Sequence, residues 1–196
     1  MKKILFVRHG ESVDDLTDQY GGWGDFPLTP RGKLQIEETA KKIEDLKVNF
    51  SRVIHSPLIR AVESAEIIAD HLALPTRVYH YLKEKNGNGL LTGLNRTEAK
   101  ILYPELVQDF EDGYVFGAEP HDKFIERVKF GVSIIQKMDV ENILAVTHGG
   151  FMNQLFNQIL GLNYQKAHDG GFVLLQSMID MKFKIIDVNG IDYTEK

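Results

Sequence analysis

The sequence predicts an α/β protein, a three-layer α/β/α sandwich in which a mostly parallel central sheet carries helices on both faces and a small cap insertion. Two observations favour this fold. Short apolar segments with the residue types of buried strands alternate along the chain with amphipathic helical segments, an order typical of parallel sheets covered by helices. The length of 196 residues, with 43% hydrophobic and 26% charged residues, favours a single folded domain over residues 1–196.

The first half of the chain contains three predicted strands and two predicted helices. The strands, at 4–7, 52–55 and 76–81, are rich in β-branched and aromatic residues. The helices are predicted to begin at Thr29-Pro30 and Ser56-Pro57, because Ser and Thr are good N-caps and Pro suits the first helical position. We expect the first helix to bury Leu34, Ala40, Ile43 and Leu46, a stripe that Ile36 fits poorly, and the second to bury Leu58, Ala61, Ala65, Ile68 and Leu72.

The second half is predicted to begin with a cap-like insertion at about 82–120. This segment is the least regular part of the chain, because Gly and Pro interrupt it repeatedly, and short helices are expected around 97–103 and 105–111. The chain then closes with a strand at 143–146, a helix from about 150 to 160, and a hairpin of strands at 173–178 and 182–188. Between cap and strand, a helix from Asp122 to Met138 is expected to bury Phe124 or Ile125, Val128, Val132 and Ile135.

Composition excludes several classes of function. The net charge of −5 disfavours a nonspecific nucleic-acid binder and an anionic-membrane binder. The absence of cysteine excludes thiolate catalysis, thiolate zinc sites and iron–sulfur clusters. The apolar run after Met1-Lys2-Lys3 is too short for a signal peptide, and no run is long enough to span a membrane, so we expect a cytoplasmic protein. The histidines show no metal-ligand spacing, and we predict neither a metal nor a cofactor.

Polar residues stand directly after the predicted strands. Arg8 and His9 follow the first strand, Arg60 lies just after the second, Glu84 follows the third and His148 follows the fourth. Because ligands of open α/β sheets bind beyond the carboxyl ends of the strands, we expect these side chains to converge. Arginine suits bidentate phosphate binding, histidine can attack phosphorus, and a carboxyl group can protonate a leaving oxygen. The pattern therefore predicts phosphoryl chemistry at this edge of the sheet.

Four motifs at these positions resemble those of one enzyme family. They are Arg8-His9-Gly10-Glu11-Ser12, the segment from Gly22 to Thr29 with Gly32 and Gln35, Ser56-Pro57-Leu58-Ile59-Arg60-Ala61, and Thr147-His148-Gly149. In this order, over about residues 3–160, they resemble the histidine phosphatase superfamily, which includes the cofactor-dependent phosphoglycerate mutases and many phosphomonoesterases.

The resemblance implies a role for each matching residue. His9 would be the nucleophile and become phosphohistidine, while Arg8, Arg60 and an imidazolium at His148 would hold the phosphoryl oxygens. Glu84 would be the general acid and then the base that activates water, with its pKa raised by burial or by the charge of the substrate. Neighbouring positive charge is expected to depress the pKa of His9. The predicted substrate-binding set comprises Arg8, Ser12, Asp15, Gly22, Arg60, His148 and Gly149, the last at a helix N-terminus that faces the anion.

Three departures from the family's pattern bear on function. Asp15 stands where the family often has a phosphate-contacting Asn, so its carboxylate must turn away from phosphate or face a cationic part of the substrate. Glu63-Ser64 replaces the usual Gln-Thr. The segment 85–93, after Glu84, lacks the Arg-His-Tyr-Gly continuation that characterises the mutases. Other candidate acids are Glu11 and Glu63.

These observations predict a metal-independent phosphomonoester hydrolase that acts through a phosphohistidine at His9 on a small phosphorylated metabolite, without nucleic-acid or membrane partners. One alternative is phosphoryl transfer of the phosphoglycerate mutase type, which the missing motif and the short chain disfavour. A non-enzymatic module that binds phosphate or phosphoproteins, and a metal-dependent hydrolase that uses His9 and His148, are the others. The oligomeric state stays open, with a homodimer through the closing strands as one option.

Overall fold

The core of the protein is one six-stranded sheet with the order β3-β2-β4-β1-β5-β6, in a computed structural model that describes residues 1–196. The strands β3, β2, β4 and β1 run parallel, whereas β5 is antiparallel to β1 and β6 is antiparallel to β5. This arrangement confirms the predicted α/β fold with a mostly parallel sheet. The strands are β1 (Lys3–Arg8), β2 (Arg52–His55), β3 (Thr76–Val78), β4 (Ile143–Thr147), β5 (Asn163–Ser177) and β6 (Phe183–Thr194).

The helices lie between these strands in chain order. They are α1 (Val13–Leu16), α2 (Pro30–Asp45), α3 (Ile59–Leu72), α4 (Arg96–Leu102), α5 (Pro104–Glu111), α6 (His121–Lys137) and α7 (Gly149–Gln154). Short 3₁₀ turns occupy His80–Leu82 and Gly89–Leu91, and α7 continues as a π-helical turn over Leu155–Leu160. No helix of the protein combines the length and the apolar character that a membrane crossing requires.

Two hydrophobic cores form on opposite faces of the sheet, so helices cover both faces. Successive side chains of β1 alternate between them: Ile4 and Phe6 pack on the side of α6 and α7, whereas Leu5 and Val7 pack on the side of α2 and α3. A strand buried on both faces is apolar throughout, which is why the sequence marks β1 so clearly. On α6 the buried residues are those predicted, with Phe124 rather than Ile125 facing the core.

Helix α2 buries Ala40 and Ile43 as predicted, but the rest of its buried face differs from the prediction. Ile36 is fully buried, whereas Leu34 is 60% exposed. Gly32 sets the rotation of the helix, because a Cβ at this position would collide with the backbone carbonyl of Glu11 in the loop after β1. Only a glycine allows this close approach, which places the adjoining side of α2 against the sheet. From there the buried residues follow at helical spacing: Gly32, Ile36, Thr39, Ala40 and Ile43.

The segment after β2 also differs from the prediction. Helix α3 begins at Ile59, with Leu58 as its N-cap residue, so Ser56 does not cap it. The Ser56 hydroxyl lies instead 2.7 Å from a ring nitrogen of His148, in the site described below. The local sequence favours an N-cap at Ser56, but the contact with His148, the residue after β4, orients the Ser56 hydroxyl.

The third strand is shorter and the closing hairpin longer than predicted. β3 ends at Val78, because the chain then turns through His80–Leu82 and buries Leu82 in the core. The hairpin strands extend beyond their apolar runs to Asn163 and Thr194, through stretches that are mostly polar, although Ala167 and Ile191 within them are buried. Such polar residues carry no strand signal of their own, since burial on a sheet face produces that signal.

Candidate active site

His9 follows β1 directly and its ring is buried. Its Nδ1 lies 2.7 Å from the carbonyl oxygen of Gly10, and because a carbonyl only accepts, the proton of the ring is on Nδ1. The lone pair is therefore on Nε2, which accepts a hydrogen bond of 3.2 Å from Nε of Arg60. Burial, followed by the charges of Arg60 and Arg8, lowers the pKa of His9 well below its ordinary value. The pKa of His9 is thus lowered, as expected, although burial contributes more than the neighbouring charges. The ring is therefore neutral at neutral pH.

Arg60, in the first turn of α3, is almost completely buried beside His9. Its terminal nitrogens Nη1 and Nη2 donate to the carbonyls of Gly24 and Gly22 at 2.8 and 2.9 Å. Burial lowers the pKa of Arg60, and nearby carboxylates, that of Asp14 first, oppose this shift. The two carbonyls fix the plane of the guanidinium and leave each terminal nitrogen a further N–H for a ligand.

Arg8, the last residue of β1, reaches across to β5. Its Nη1 donates to the carbonyl of Ala167, and its Nη2 forms an ion pair of 3.0 Å with Asp169. Its Nε is buried and has no hydrogen-bond partner in the protein. The partners on β5 therefore hold the terminal nitrogens of Arg8 and leave its Nε–H to face the site.

His148 follows β4 and is completely buried. Its Nε2 lies 2.7 Å from Oγ of Ser56, and this oxygen also accepts from the N–H of Leu58. In the tautomer in which Ser56 donates its proton to Nε2, the ring proton of His148 is on Nδ1. Burial, followed by the charge of Arg60, lowers the pKa of His148 well below its ordinary value. This direction favours a neutral ring, and the imidazolium expected to hold the phosphoryl oxygens stays a prediction.

Buried N–H donors without a partner in the protein gather around His9. They are Nε of Arg8 and Nδ1 of His148, and the centroids of the His9 and His148 rings are 5.0 Å apart. Gly149 lies against Arg8, since a Cβ at Gly149 would be 3.7 Å from the Arg8 Nε. An unpaired buried donor costs about 1–3 kcal/mol and is rare unless a ligand uses it. Together with Arg60, these donors suit an oxyanion placed beside the lone pair of His9.

Glu84 follows the turn His80–Leu82, and its carboxylate is held at the start of α7. Oε1 accepts from the N–H of Lys85 at 2.7 Å, and Oε2 accepts from the N–H of Gly150 at 2.9 Å. Gly150 is required for this contact, because a Cβ there would overlap Oε1. The carboxylate, not an incoming anion, therefore uses the Gly150 N–H that was expected to face phosphate. Glu84 is also one of the carboxylates whose charge opposes the lowering of the Arg60 pKa by burial.

The remaining predicted binding residues make contacts within the protein. Ser12 is buried, and its Oγ donates to Oδ1 of Asp14 at 2.6 Å. Asp15 turns back and accepts from the N–H of Ser12 at 3.0 Å, as a capping residue of α1 does. Gly22 contributes its carbonyl to Arg60. The Asp15 carboxylate is thus engaged by the backbone at the start of α1, and direct substrate binding by Ser12, Asp15 and Gly22 stays a prediction.

The alternative acids are used elsewhere. Glu11 accepts from the hydroxyl of Thr29 at 2.6 Å, and Glu63 accepts from the N–H of Leu28 at 2.7 Å. Both carboxylates bind residues 28–29, which lead into α2, whereas the carboxylate of Glu84 lies at the start of α7. No three His, Asp or Glu side chains come together in a way that could hold a metal ion.

Sequence reasoning missed several groups that organise the site. Ser56 was interpreted as a helix cap, although it stands inside the Arg60 motif and contacts His148. Asp169 pairs with Arg8 from the middle of β5, and nothing in a single sequence marks it. Trp23, to which the sequence analysis gave no role, donates its Nε1–H to the carbonyl of Glu84 at 2.6 Å.

Comparison with known proteins gives a consistent family. Residues 4–178 match the family model of the histidine phosphatase superfamily, branch 1. The chain is 28% identical to the uncharacterized phosphatase PhoE of Bacillus subtilis over 162 residues, which cover 82% of this chain and 79% of PhoE. It is 36% identical over 106 residues to the 2,3-bisphosphoglycerate-dependent phosphoglycerate mutase 1 of Latilactobacillus sakei, covering 53% of this chain and 45% of the mutase. The match thus spans less than half of the mutase.

Solved structures with the same fold include phosphatases. A putative alpha-ribazole-5'-P phosphatase from Escherichia coli superposes with a TM-score of 0.79 at 19% identity, covering 96% of each chain. A mycobacterial glucosyl-3-phosphoglycerate phosphatase superposes with a TM-score of 0.75 at 18% identity, covering 98% of this chain and all of the other. At these identities the superpositions concern the fold alone. The match over residues 4–178 shows the family, and this chain belongs to the histidine phosphatase superfamily.

Proposed function

We propose that this protein is a phosphomonoester hydrolase that acts without a metal, through a phosphohistidine at His9. The observation that carries the proposal is the arrangement around His9: a neutral, buried ring whose Nε2 lone pair adjoins Arg60 and the unpaired donors of Arg8 and His148. Phosphoryl transfer requires mainly positioning and neutralisation of charge, and two guanidiniums with an imidazole N–H supply both.

In the first step Nε2 of His9 attacks phosphorus, and the N–P bond forms as the bond from phosphorus to the ester oxygen breaks. The Nε–H of Arg60, which donates a hydrogen bond to Nε2 before the reaction, then donates it to a phosphoryl oxygen instead. The departing oxygen takes a proton from Glu84, whose oxygens each keep a lone pair besides the ones that accept backbone N–H groups. The products of this step are the free alcohol, phosphohistidine and the Glu84 carboxylate.

In the second step water attacks phosphorus, and the N–P bond breaks. Glu84, now a carboxylate, accepts a proton from the water and returns to its acid form. His9 regains its lone pair, and inorganic phosphate leaves. The same carboxyl group thus serves as acid and then as base, and water is the one reactant besides the phosphate ester.

The substrate is proposed to be a small phosphorylated metabolite. Similarity to PhoE over most of both chains supports hydrolysis, whereas the more identical but shorter matches to phosphoglycerate mutases keep phosphoryl transfer as the second candidate. The chain lacks the mutase motif after Glu84, which favours hydrolysis over transfer.

Hydrolysis of p-nitrophenyl phosphate in excess EDTA tests the proposal. We expect release of nitrophenol and inorganic phosphate that EDTA does not diminish. Activity that EDTA abolishes and divalent metal restores would point to a metal enzyme. Interconversion of phosphoglycerates that requires a bisphosphoglycerate primer would point to a mutase. Protection of the protein by phosphate against thermal unfolding, without any product, would point to a binding module.

Glu84→Gln is expected to slow the reaction in proportion to how much the leaving group needs a proton. We expect kcat/KM, which reports the step that expels the leaving group, to fall at least about tenfold more for an alkyl phosphate than for p-nitrophenyl phosphate, because general acid catalysis contributes about 10²–10⁴-fold only where the leaving group is poor. Steady-state kinetics on both substrates measures this ratio. Equal losses on the two substrates would mean that Glu84 is not the acid, and Glu63→Gln provides the matched control.

A further inference from the structure

Arg127, on α6, uses every N–H of its guanidinium inside the protein. Nε and Nη2 donate to the two oxygens of Glu119 at 2.7 and 2.8 Å. Nη1 donates to the carbonyls of Tyr81 and Lys83 at 3.1 and 2.8 Å, and Nη2 also donates to the carbonyl of Glu84 at 3.0 Å. A guanidinium has five N–H groups, so none is left over for a substrate.

These bonds hold the backbone from which the proposed acid projects. The carbonyl of Leu82, the one carbonyl between 81 and 84 that Arg127 does not bind, accepts from the hydroxyl of Thr147 at 2.8 Å. The four consecutive carbonyls of residues 81–84 are therefore all hydrogen-bonded, three to Arg127 and one to Thr147. The acid segment is thereby tied to α6 on one side and to the end of β4 on the other.

The ion pair with Glu119 adds a link to the end of the irregular segment 82–120. Glu119 stands just before α6, and its own N–H donates to the carbonyl of Asn86 at 2.8 Å. The Arg127 and Glu119 side chains are only 17% and 13% exposed, so water screens the pair weakly. A shift of Glu119 would consequently be transmitted through Arg127 to the carbonyl of Glu84.

We propose that Arg127, oriented by Glu119, is the positioning residue for Glu84, and that it sets the reach of this acid towards the leaving oxygen. The inference rests on the proposed function, in which Glu84 protonates the leaving group. Because every N–H of Arg127 is used within the protein, its loss should affect the position of Glu84 more than the binding of phosphate. A misplacement of about 1 Å can cost on the order of 10²-fold in rate, and here that cost falls on proton transfer.

Arg127→Gln tests the inference through the dependence on the leaving group. We expect kcat/KM for an alkyl phosphate to fall at least about tenfold more than kcat/KM for p-nitrophenyl phosphate, with little change in competitive inhibition by inorganic phosphate. Arg127→Lys keeps the charge but has three N–H donors for five acceptors, so only partial recovery is expected. Lys123→Gln, which breaks an exposed ion pair of 2.9 Å with Glu126 on the same helix, is the matched control and should leave the ratio unchanged.

Glu119→Gln is a second variant that tests the same proposal if Arg127→Gln fails to fold. It should shift the same ratio in the same direction, and the double variant should show less than the sum of the two effects, because both residues act on one segment. An equal loss of kcat/KM on both substrates in the variants of Arg127 and Glu119 would show that the pair only stabilises the fold. If Glu84→Gln itself leaves the ratio unchanged, the acid of the proposed function is wrong and the inference fails with it.

Discussion

His9→Asn is expected to reduce kcat/KM for p-nitrophenyl phosphate by at least about 10⁴-fold, the scale on which loss of a covalent nucleophile acts. The side-chain amide of Asn can keep the hydrogen bond that Nδ1 now donates to the Gly10 carbonyl, but it offers no lone pair on nitrogen to phosphorus. The variant therefore removes the nucleophile with little change in packing. Base quenching of the wild-type enzyme during turnover should recover phosphate on the peptide that contains His9, and the variant should recover none.

His55→Asn is a matched control for this experiment. His55 is also buried at the end of a strand, and its Nδ1 makes the same kind of contact, 2.9 Å to the carbonyl of the next residue. We expect it to destabilise the fold to a similar extent while phosphate on His9 is still recovered. Unchanged turnover in His9→Asn, or labelling of another residue in the wild type, would disprove the mechanism.

Arg60→Ala is expected to lower kcat/KM by well over about 10²-fold, the scale of one lost transition-state donor. A second effect follows from charge. After burial, the guanidinium of Arg60 is the largest cause of the lowered pKa of His9, so its removal should raise that pKa. Because His9 attacks only when unprotonated, the acid limb of the pH profile of kcat/KM should move to higher pH in this variant.

Arg60→Lys separates the two effects. Lysine keeps a positive charge, so the acid limb should stay closer to that of the wild type. It cannot donate to Gly22, Gly24 and phosphate with one planar fork, so kcat/KM should still fall. Arg77→Ala, which removes an exposed arginine of β3, controls for the change in net charge. A loss below threefold in Arg60→Ala would refute a role in phosphate binding.

Much of the candidate site could be predicted from the sequence, because a parallel sheet gathers the residues that follow its strands. Arg8 and His9 follow β1 and His148 follows β4, and these neighbouring strands pair in parallel, with Arg8 opposite Thr147. Arg60 enters from the first turn after β2, the other neighbour of β4. Strand boundaries and the order of the motifs are local properties of the sequence. Together they predict the edge of the sheet at which the side chains meet.

The tertiary structure alone decided how each of these side chains is held. Asp169 pairs with Arg8, Ser56 binds His148, and Arg127 fixes the backbone at Glu84, in each case across strands or helices far apart in sequence. The buried face of α2 was decided in the same way, by the close approach of Gly32 to the Glu11 backbone. Local periodicity carries information over one or two helical turns, whereas such contacts depend on the register of separate elements. The sequence determined the fold class and which residues meet at the edge of the sheet, whereas long-range packing decided their protonation and orientation.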